Sequence, residues 1–446
     1  MNNDLSILFN NIKSENYLES DFAFRQGQII NRFTFIKHAI VLSTMLSNSK
    51  YIINLCEDRY LFSVLFIACL IKDKICLLPS SQVESEITNL KNKYYDCDII
   101  TDRDIEIEQL EQFEVNKIEP PKLSLSQLAC VVFTSGSTGV PKANEKTWGT
   151  LLESAKLVAA RLGLLDGEPH KIVATVPAQH MFGFEMSIML PMVTNTLVHS
   201  GKPFFPEEVY HAMTSLHGKC ILISTPIHLK ACAYANIAWP EIEYVLSATA
   251  NLELDLATEI EKQLKTRVKE IYGCSEAGAI ATRVMTDSIY WELLPGYKIN
   301  KNKIGFELII SGNDRTVDLH DNFDFNSKDQ FILLGRESDM IKIGGKRGSL
   351  GDLKNKMCSI SGVVDAVFFS PDRTLSNGRI AALVIASGIE EHEILVSLGK
   401  MVDPVFLPRP LIKVSEIPYN PTGKIISSKL IEIYERYKCN KHSVMS

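Results

Sequence analysis

Short apolar runs with few internal polar residues recur along the first part of the chain: Tyr51–Leu55, Ile75–Leu78, Cys130–Phe133, Lys171–Val176, Cys220–Ser224 and Tyr244–Leu246. Runs of this length without strict alternation predict strands covered on both faces. Longer amphipathic runs lie between them, among them Leu151–Leu162 and Leu254–Leu264, and these predict helices. Thr147 is a candidate N-cap for the first. Leu61–Ile71 is apolar for about eleven residues, against the ~20 needed to span a bilayer, so it predicts a buried helix. Strand and helix alternating at this spacing predict parallel α/β layers. From about residue 300 the pattern shortens. Ile304–Ile310, Gln330–Leu334 and Met340–Ile343 predict brief strands separated by turns, and Val363–Phe369 and Ile380–Ile385 predict two more. Helices are expected near Glu390–Lys400 and Ser427–Tyr437. The expected fold class is α/β, with a large N-terminal domain of layered, mostly parallel sheets over 1–337. A small α+β domain follows over 338–446. The boundary is placed near Arg336–Asp339 as a short hinge, because no Gly/Ser-rich linker marks it.

Composition narrows the function classes. The chain has 446 residues, enough for two or three domains, and 22% charged residues with a net charge of −6. That balance argues against a general nucleic-acid binder, which is usually basic. The ten cysteines include no C-x-x-C pair, so neither a zinc knuckle nor a thioredoxin-like site is expected. The N-terminal stretch MNNDLSILFNNIKSENYLES lacks a basic n-region and a continuous apolar h-region. A reduced, cytoplasmic protein without membrane insertion is the expectation.

The candidate chemistry starts at residues 131–142, Val-Val-Phe-Thr-Ser-Gly-Ser-Thr-Gly-Val-Pro-Lys. Thr134, Ser135, Ser137 and Thr138 supply hydroxyl donors. Gly136 and Gly139 let backbone N–H groups approach a ligand closely, and Lys142 adds a mobile positive charge. The set suits a polyphosphate. It is not a Walker A loop: Pro141 drives Val140 toward an extended conformation, so no helix starts at Lys142. Three further motifs follow in order: Ile-Tyr-Gly-Cys-Ser-Glu-Ala-Gly at 271–278, Gly-Arg-Glu-Ser-Asp-Met-Ile-Lys-Ile-Gly-Gly at 335–345, and Asn-Pro-Thr-Gly-Lys-Ile at 420–425.

This ordered set resembles the acyl-adenylate-forming superfamily, which includes acyl-CoA synthetases, aryl-CoA ligases and the adenylation domains of peptide synthetases. The resemblance runs from about residue 20 to 430 and implies an acid–thiol ligase with a mobile C-terminal domain. A carboxylate would attack the α-phosphate of ATP to give an acyl-adenylate, and a thiol would then take the acyl group. By resemblance, Thr134–Lys142 would hold the β- and γ-phosphates. Ala248, Thr249 and Ala250 would form an adenine shelf, and Tyr272 would stack on the base. Ser275 would bond the α-phosphate and Glu276 would bind Mg²⁺. Asp318 and Arg336 would hold the ribose, with Asp321 and Asp324 as neighbours able to take the place of Asp318. Lys424 would neutralise charge during adenylation, and Ser338 would be the hinge. Two departures from the family pattern stand out: only five residues separate Gly312 from Asp318, and Val317 replaces a glycine.

The expected acid-site lining is His180, Gly183, Phe184, Ser247, Gly273, Cys274 and Ala279. Amino-acid-activating relatives carry an aspartate just beyond the His180 position. Here that place reads Gly183-Phe184, with Glu185 as the nearest acid, so the expected substrate is a small carboxylic acid, aryl or acyl, without an α-amine. The acceptor would be coenzyme A or the 4'-phosphopantetheine of an acyl carrier protein. Lys342, Lys346, Arg347, Lys354 and Lys356 are candidate cations for either, or a solvated face. Two competing readings remain: a nucleotide or acyl-adenylate binder without turnover, and adenylation followed by transfer to a non-thiol acceptor.

Overall fold

The uninterrupted apolar runs become the inner strands of two layered sheets. The computed structural model describes residues 17–113, 123–134, 142–165, 167–302, 305–310, 315–336, 340–343, 346–371, 379–419 and 425–443. It contains two compact units, Met1–Tyr297 and Lys298–Ser446.

In the first unit, one sheet has the order Cys97–Ile100, Tyr51–Asn54, Ile75–Leu78, Leu128–Thr134, Lys142–Thr147. Its first four strands are parallel, and the last is an antiparallel edge. All four residues of Ile75–Leu78 are buried, as a strand covered on both faces requires. The other sheet is parallel from Val268–Cys274 through Ile242–Ser247, Cys220–Ser224, His170–Ala174 and Thr196–His199 to Asp21–Arg25. At the far side of Val268–Cys274 the chain turns back, and Gly278–Arg283 pairs antiparallel to it.

Between these strands lie the expected helices. Trp148–Leu162 begins at Thr147, whose hydroxyl accepts the Thr150 N–H as an N-cap, and ends at Gly163 with φ +78°. Arg59–Ile71 is buried from Arg59 to Leu70. Asp58 caps it by accepting the N–H groups of Tyr60 and Leu61. Arg59 is fully buried, and its guanidinium donates to Ser187 Oγ and to the carbonyls of Val176 and Gly201. Burial lowers its pKa to about 10, the nearby Asp58 charge opposing the shift. One arginine thereby joins this helix to the segment leading into His180.

In the second unit, Val363–Phe369, Ala381–Ala386 and Leu411–Lys413 form a sheet. Strand alternation sends Ala366 and Phe368 into one core and Val367 and Phe369 into another. The first core packs against the helices Leu350–Cys358 and Glu391–Gly399, the second against Ser427–Ser443. The chain from residue 297 on also holds the antiparallel strands Asp321–Phe325 and Gln330–Arg336, the sheet Tyr297–Lys301, Phe306–Ile310, Arg315–Leu319, and the pair Met340–Ile343 with Lys346–Ser349.

Two elements differ from the sequence expectation. Lys142–Thr147 is a strand although its residues, Lys-Ala-Asn-Glu-Lys-Thr, are mostly polar. It alternates buried and exposed positions, as an edge strand can. Glu185–Met189 winds as a π-turn inside an otherwise α-helical stretch. Among the described residues, no helix is long and apolar enough to cross a membrane. All ten cysteines are free thiols.

Candidate active site

Several buried strands of the first unit end on the same side, where ligands bind in open α/β sheets. Thr134 closes one such strand, and its Cα is paired with that of Lys142 across the antiparallel edge. The hydroxyl-rich loop between them is therefore pinched at its base. Residues 135–141, including Ser135, Gly136, Ser137, Thr138 and Gly139, lie outside the described residues.

From the other sheet comes the tight turn Ser275–Ala277, between Val268–Cys274 and Gly278–Arg283. The two sheets meet there. Lys142 Nζ lies 2.8 Å from Glu276 Oε1. Lys146 Nζ donates to the Glu276 carbonyl at 2.6 Å. Burial pushes the Glu276 carboxyl up, but the Lys142 hydrogen bond and the Lys142 and Lys146 charges outweigh it, so its pKa falls below the usual range. Glu276 is thus held as an anion beside the pinched loop. Among the described residues, no group of three or more His, Cys, Asp or Glu gathers as a metal cage. A single ionised carboxylate suits Mg²⁺, which keeps waters and phosphate oxygens as its other ligands.

The turn is braced from behind. Glu185 is buried, and its two oxygens accept the Ser154 hydroxyl and, at 3.0 Å, the Ala279 N–H. Burial raises its pKa, opposed by Ser154, Lys146 and the Ala279 bond. A Cβ on Gly278 would stand 2.7 Å from Glu185 Oε1, and Gly278 has φ +86°. The turn therefore needs glycine there for both space and backbone. Lys146, Glu185 and Ser154 were not among the sequence candidates. An acid inside the apolar run Met-Phe-Gly-Phe-Glu-Met was the available signal for Glu185. The inward position of Lys146 became readable only with the unforeseen edge strand.

The adenine-shelf candidates follow Ile242–Ser247. Ala248 is buried, Ala250 is exposed, and Thr249 has φ +79°. A β-branched residue in that region is strained. Tyr272 is half-buried, and its ring centroid lies 5.8 Å from that of Trp291. Arg283 stands 4.3 Å over Trp291 and pairs with Glu270 at 2.6 Å. This anchors the strand that carries Tyr272.

For the acid-site candidates the placement is mixed. His180 caps Met181–Phe184, its Nδ1 accepting the Phe182 N–H. A Cβ on Gly183 would lie 2.0 Å from the Pro177 carbonyl, and one on Gly273 would lie 2.3 Å from the Gly278 carbonyl. Both glycines allow close backbone approach. Ser247 and Ala279 are buried, and burial pushes the Cys274 thiol up to about 11, well away from a reactive thiolate. Phe184 differs from the expectation of a lining residue. It is fully buried, 5.1 Å from the Phe66 ring centroid and 6.1 Å from that of Phe62. Its side chain belongs to the core behind this segment.

In the second unit, Asp318 sits exposed on Arg315–Leu319, with its Cα paired to that of Glu307. Arg336 belongs to another sheet, and the Cα paired with it is that of Asp321. Of the three neighbouring aspartates, Asp321 is the one that strand pairing brings to the arginine. The basic residues weighed as a thiol-end surface are engaged where described. Lys346 pairs with Asp403, Lys354 with Asp365 and Lys356 with Asp352. Ser338 and Lys424 lie outside the described residues.

A model of the AMP-binding enzymes matches residues 46–306. A 4-coumarate–CoA ligase of Halorhodospira halophila is 26% identical over 301 residues, covering 66% of this chain and 73% of that protein. A 3,4-dihydroxybenzoate–[aryl-carrier protein] ligase of Bacillus anthracis is 22% identical over 334 residues, covering 73% and 78%. ATP-bound MatB from Rhodopseudomonas palustris superposes with a TM-score of 0.83 at 15% identity, over 97% of this chain and 99% of that one. The last is a likeness of fold.

Proposed function

This chain belongs to the AMP-binding enzyme family, and from that premise we propose that it activates an aryl or acyl carboxylic acid lacking an α-amine and passes it to a pantetheine thiol. It is an AMP-forming acid–thiol ligase of the acyl-CoA synthetase type. The acid's carboxylate oxygen attacks the α-phosphorus of ATP, the bond to the bridging oxygen breaks, and pyrophosphate leaves. The thiol sulfur then attacks the acyl carbon, AMP departs with the bonding pair, and the thiol proton goes to solvent. Neither step needs a protein nucleophile; positioning and charge neutralisation carry both.

The observation that carries the reading is the 2.8 Å contact of Lys142 with Glu276. It joins the foot of the hydroxyl loop to the Tyr-Gly-Cys-Ser-Glu turn, the arrangement one triphosphate requires. Lys142 and the loop before it hold the terminal phosphates. Glu276 would hold Mg²⁺, which would screen the phosphate charge. Tyr272 and Ala248–Ala250 receive adenine, Ser275 bonds the α-phosphate, and Asp321 with Arg336 takes the ribose in place of Asp318. His180, Gly183, Gly273 and Ala279 line the acid site. Lys424 neutralises the charge that grows during adenylation, and rotation at Ser338, with 338–446 moving as the small domain, withdraws it for thiolysis.

Glu185 supports an acid without an amine, because both its oxygens are engaged by Ser154 and Ala279. The names of the two related ligases both carry an aromatic acid, which favours the aryl class. The acceptor is a carrier-protein thiol or coenzyme A, which share pantetheine.

Acid-dependent ATP–pyrophosphate exchange tests the reading, with benzoate, 4-coumarate, 3,4-dihydroxybenzoate, octanoate and amino acids as the panel. Exchange with an aryl or acyl acid and none with amino acids is expected. Exchange with amino acids alone would overturn the substrate class, and exchange with no acid would favour a binder without turnover. Lys424→Ala should lower exchange by ~10²–10³ and spare thiolysis of supplied acyl-adenylate. Adding coenzyme A or a holo-carrier protein to a positive reaction identifies the acceptor.

A further inference from the structure

A closed network of three side chains stands at the foot of the segment that bears Lys424. Tyr419 and Ile425 form a bridge on either side of residues 420–424. Beside it, the Ile426 N–H donates to the Pro418 carbonyl at 2.9 Å. The Tyr419 hydroxyl donates to Asp365 Oδ2 at 2.7 Å. Lys354 Nζ donates to the Tyr419 hydroxyl at 3.1 Å and lies 3.1 Å from Asp365 Oδ1. The remaining Oδ1 capacity is used by the Ala366 N–H at 2.8 Å. Each member thus bonds both others.

The three residues come from separate elements. Lys354 lies on the helix Leu350–Cys358, Asp365 on the strand Val363–Phe369, and Tyr419 on the connection to Ser427–Ser443. Tyr419 also packs against the core that includes Val367, Phe369 and Leu430. Burial works against the Lys354 ammonium, yet the Asp365 charge and the Tyr419 contact raise its pKa. Burial pushes the Tyr419 hydroxyl up to about 12, with the Lys354 charge opposing, so it stays a donor. A polar cluster of this kind on a half-buried surface holds one geometry, because each partner fixes the direction of the next.

We propose that the Lys354–Asp365–Tyr419 network is a positioning device for the adenylation half-reaction, setting where the chain enters and leaves the Lys424 segment. Lys354 therefore serves adenylation rather than acceptor binding. The inference rests on the assignment of Lys424 given above. Transition-state contacts fall off steeply with misplacement, and an error of about 1 Å can cost ~10² in rate. Loosening the network should therefore act on the step that uses Lys424 and leave the thiol step alone.

The experiment compares the two half-reactions in the full chain, using the acid with the fastest exchange. Adenylation is read as ATP–pyrophosphate exchange. Thiolysis is read as thioester formation from that acid's preformed adenylate and free pantetheine, the portion both acceptor classes share. Tyr419→Phe and Asp365→Asn should each lower exchange by about 10- to 100-fold with thiolysis within about 2-fold of the parent. The double variant should be little worse than either single one, because the residues act as a unit. Equal loss in both half-reactions would reduce the network to a stabilising role, and no loss in exchange would remove it from the reaction; either overturns the proposal. Lys354→Met gives a third reading should Tyr419→Phe fold poorly, as judged by denaturation. Lys424→Ala run alongside separates the two ideas. If it keeps full exchange, the Lys424 assignment fails; if it loses exchange while the network variants do not, only the positioning role fails.

Discussion

The protein holds two lysines against acidic partners in different ways. Lys142 Nζ meets Glu276 Oε1 at 2.8 Å, with side chains 58% and 31% exposed. Lys354 meets Asp365 with side chains 34% and 25% exposed, and the Tyr419 hydroxyl closes the triangle. The first pair is a contact that can open. Water screens it, and an exposed pair contributes only ~0–1 kcal/mol, so a polyphosphate can displace either partner at small cost. The second has fewer routes to water and three mutual bonds, so it persists. On the reading proposed above, the pair exchanged for a substrate stands at the surface, and the one that holds a geometry has a third member.

The largest effect that can break this comparison is on activity. Lys142→Ala should lower ATP–pyrophosphate exchange by ~10²–10³, since the lost charge acts on phosphate in the transition state. Its unfolding free energy should change by less than about 1 kcal/mol in urea titration. A stability loss as large as the activity loss would make Lys142 a structural residue. Next, Asp365→Asn should cost about 2 kcal/mol of stability, because a hydrogen bond to a charged group is worth ~1.5–3 kcal/mol. A change no larger than for Lys142→Ala would erase the contrast between the two pairs.

A buried site with no salt bridge sharpens it further. His38 is buried, and its Nδ1 shares a 2.6 Å hydrogen bond with the Tyr60 hydroxyl. Burial, with the Lys37 and Arg25 charges, lowers its pKa from 6.5 to about 4. The unfolded chain then binds the proton first as pH falls. The associated stability is fully present above about pH 6.5 and is lost progressively down to about pH 4. Between about pH 7 and about pH 5.5 the wild-type chain should lose about 1 kcal/mol that His38→Gln does not. Parallel pH profiles would remove His38 from the account. The smallest effect is that of salt. Raising NaCl to about 0.5 M should weaken the contribution of Glu276 more than that of Asp365, read as the stability difference of Glu276→Gln and Asp365→Asn at low and high salt.

Legibility in the sequence followed the strength of each local signal. Ile75–Leu78, Cys220–Ser224, Leu254–Leu264 and Val363–Phe369 stand where their apolar patterns put them. Thr147 caps the helix it was expected to cap. Lys142–Thr147 escaped because an edge strand carries polar residues on its open side, and only Pro141 hinted that no helix begins there. Phe184, expected as a lining residue, is buried against Phe62 and Phe66, because a pattern reports that a side chain is apolar and not which way it faces. Asp318 has Asp321 and Asp324 as alternatives because the segment around it departs from the family pattern. Strand register, which depends on the Gln330–Arg336 partner, pairs Asp321 with Arg336.

Local chemistry therefore determined the layered α/β plan, the motif order and the family, because helical and strand periods and turn residues act over a few neighbours. Contacts between residues far apart in the chain were decided only by the tertiary structure. Lys142 reaching Glu276, Glu185 bracing Ala279, and Lys354 and Asp365 closing on Tyr419 each join elements whose approach depends on how the sheets and helices pack. A one-dimensional pattern specifies which face of an element is buried. Which element covers that face, and so which charges meet there, is set by the assembly of the core as a whole.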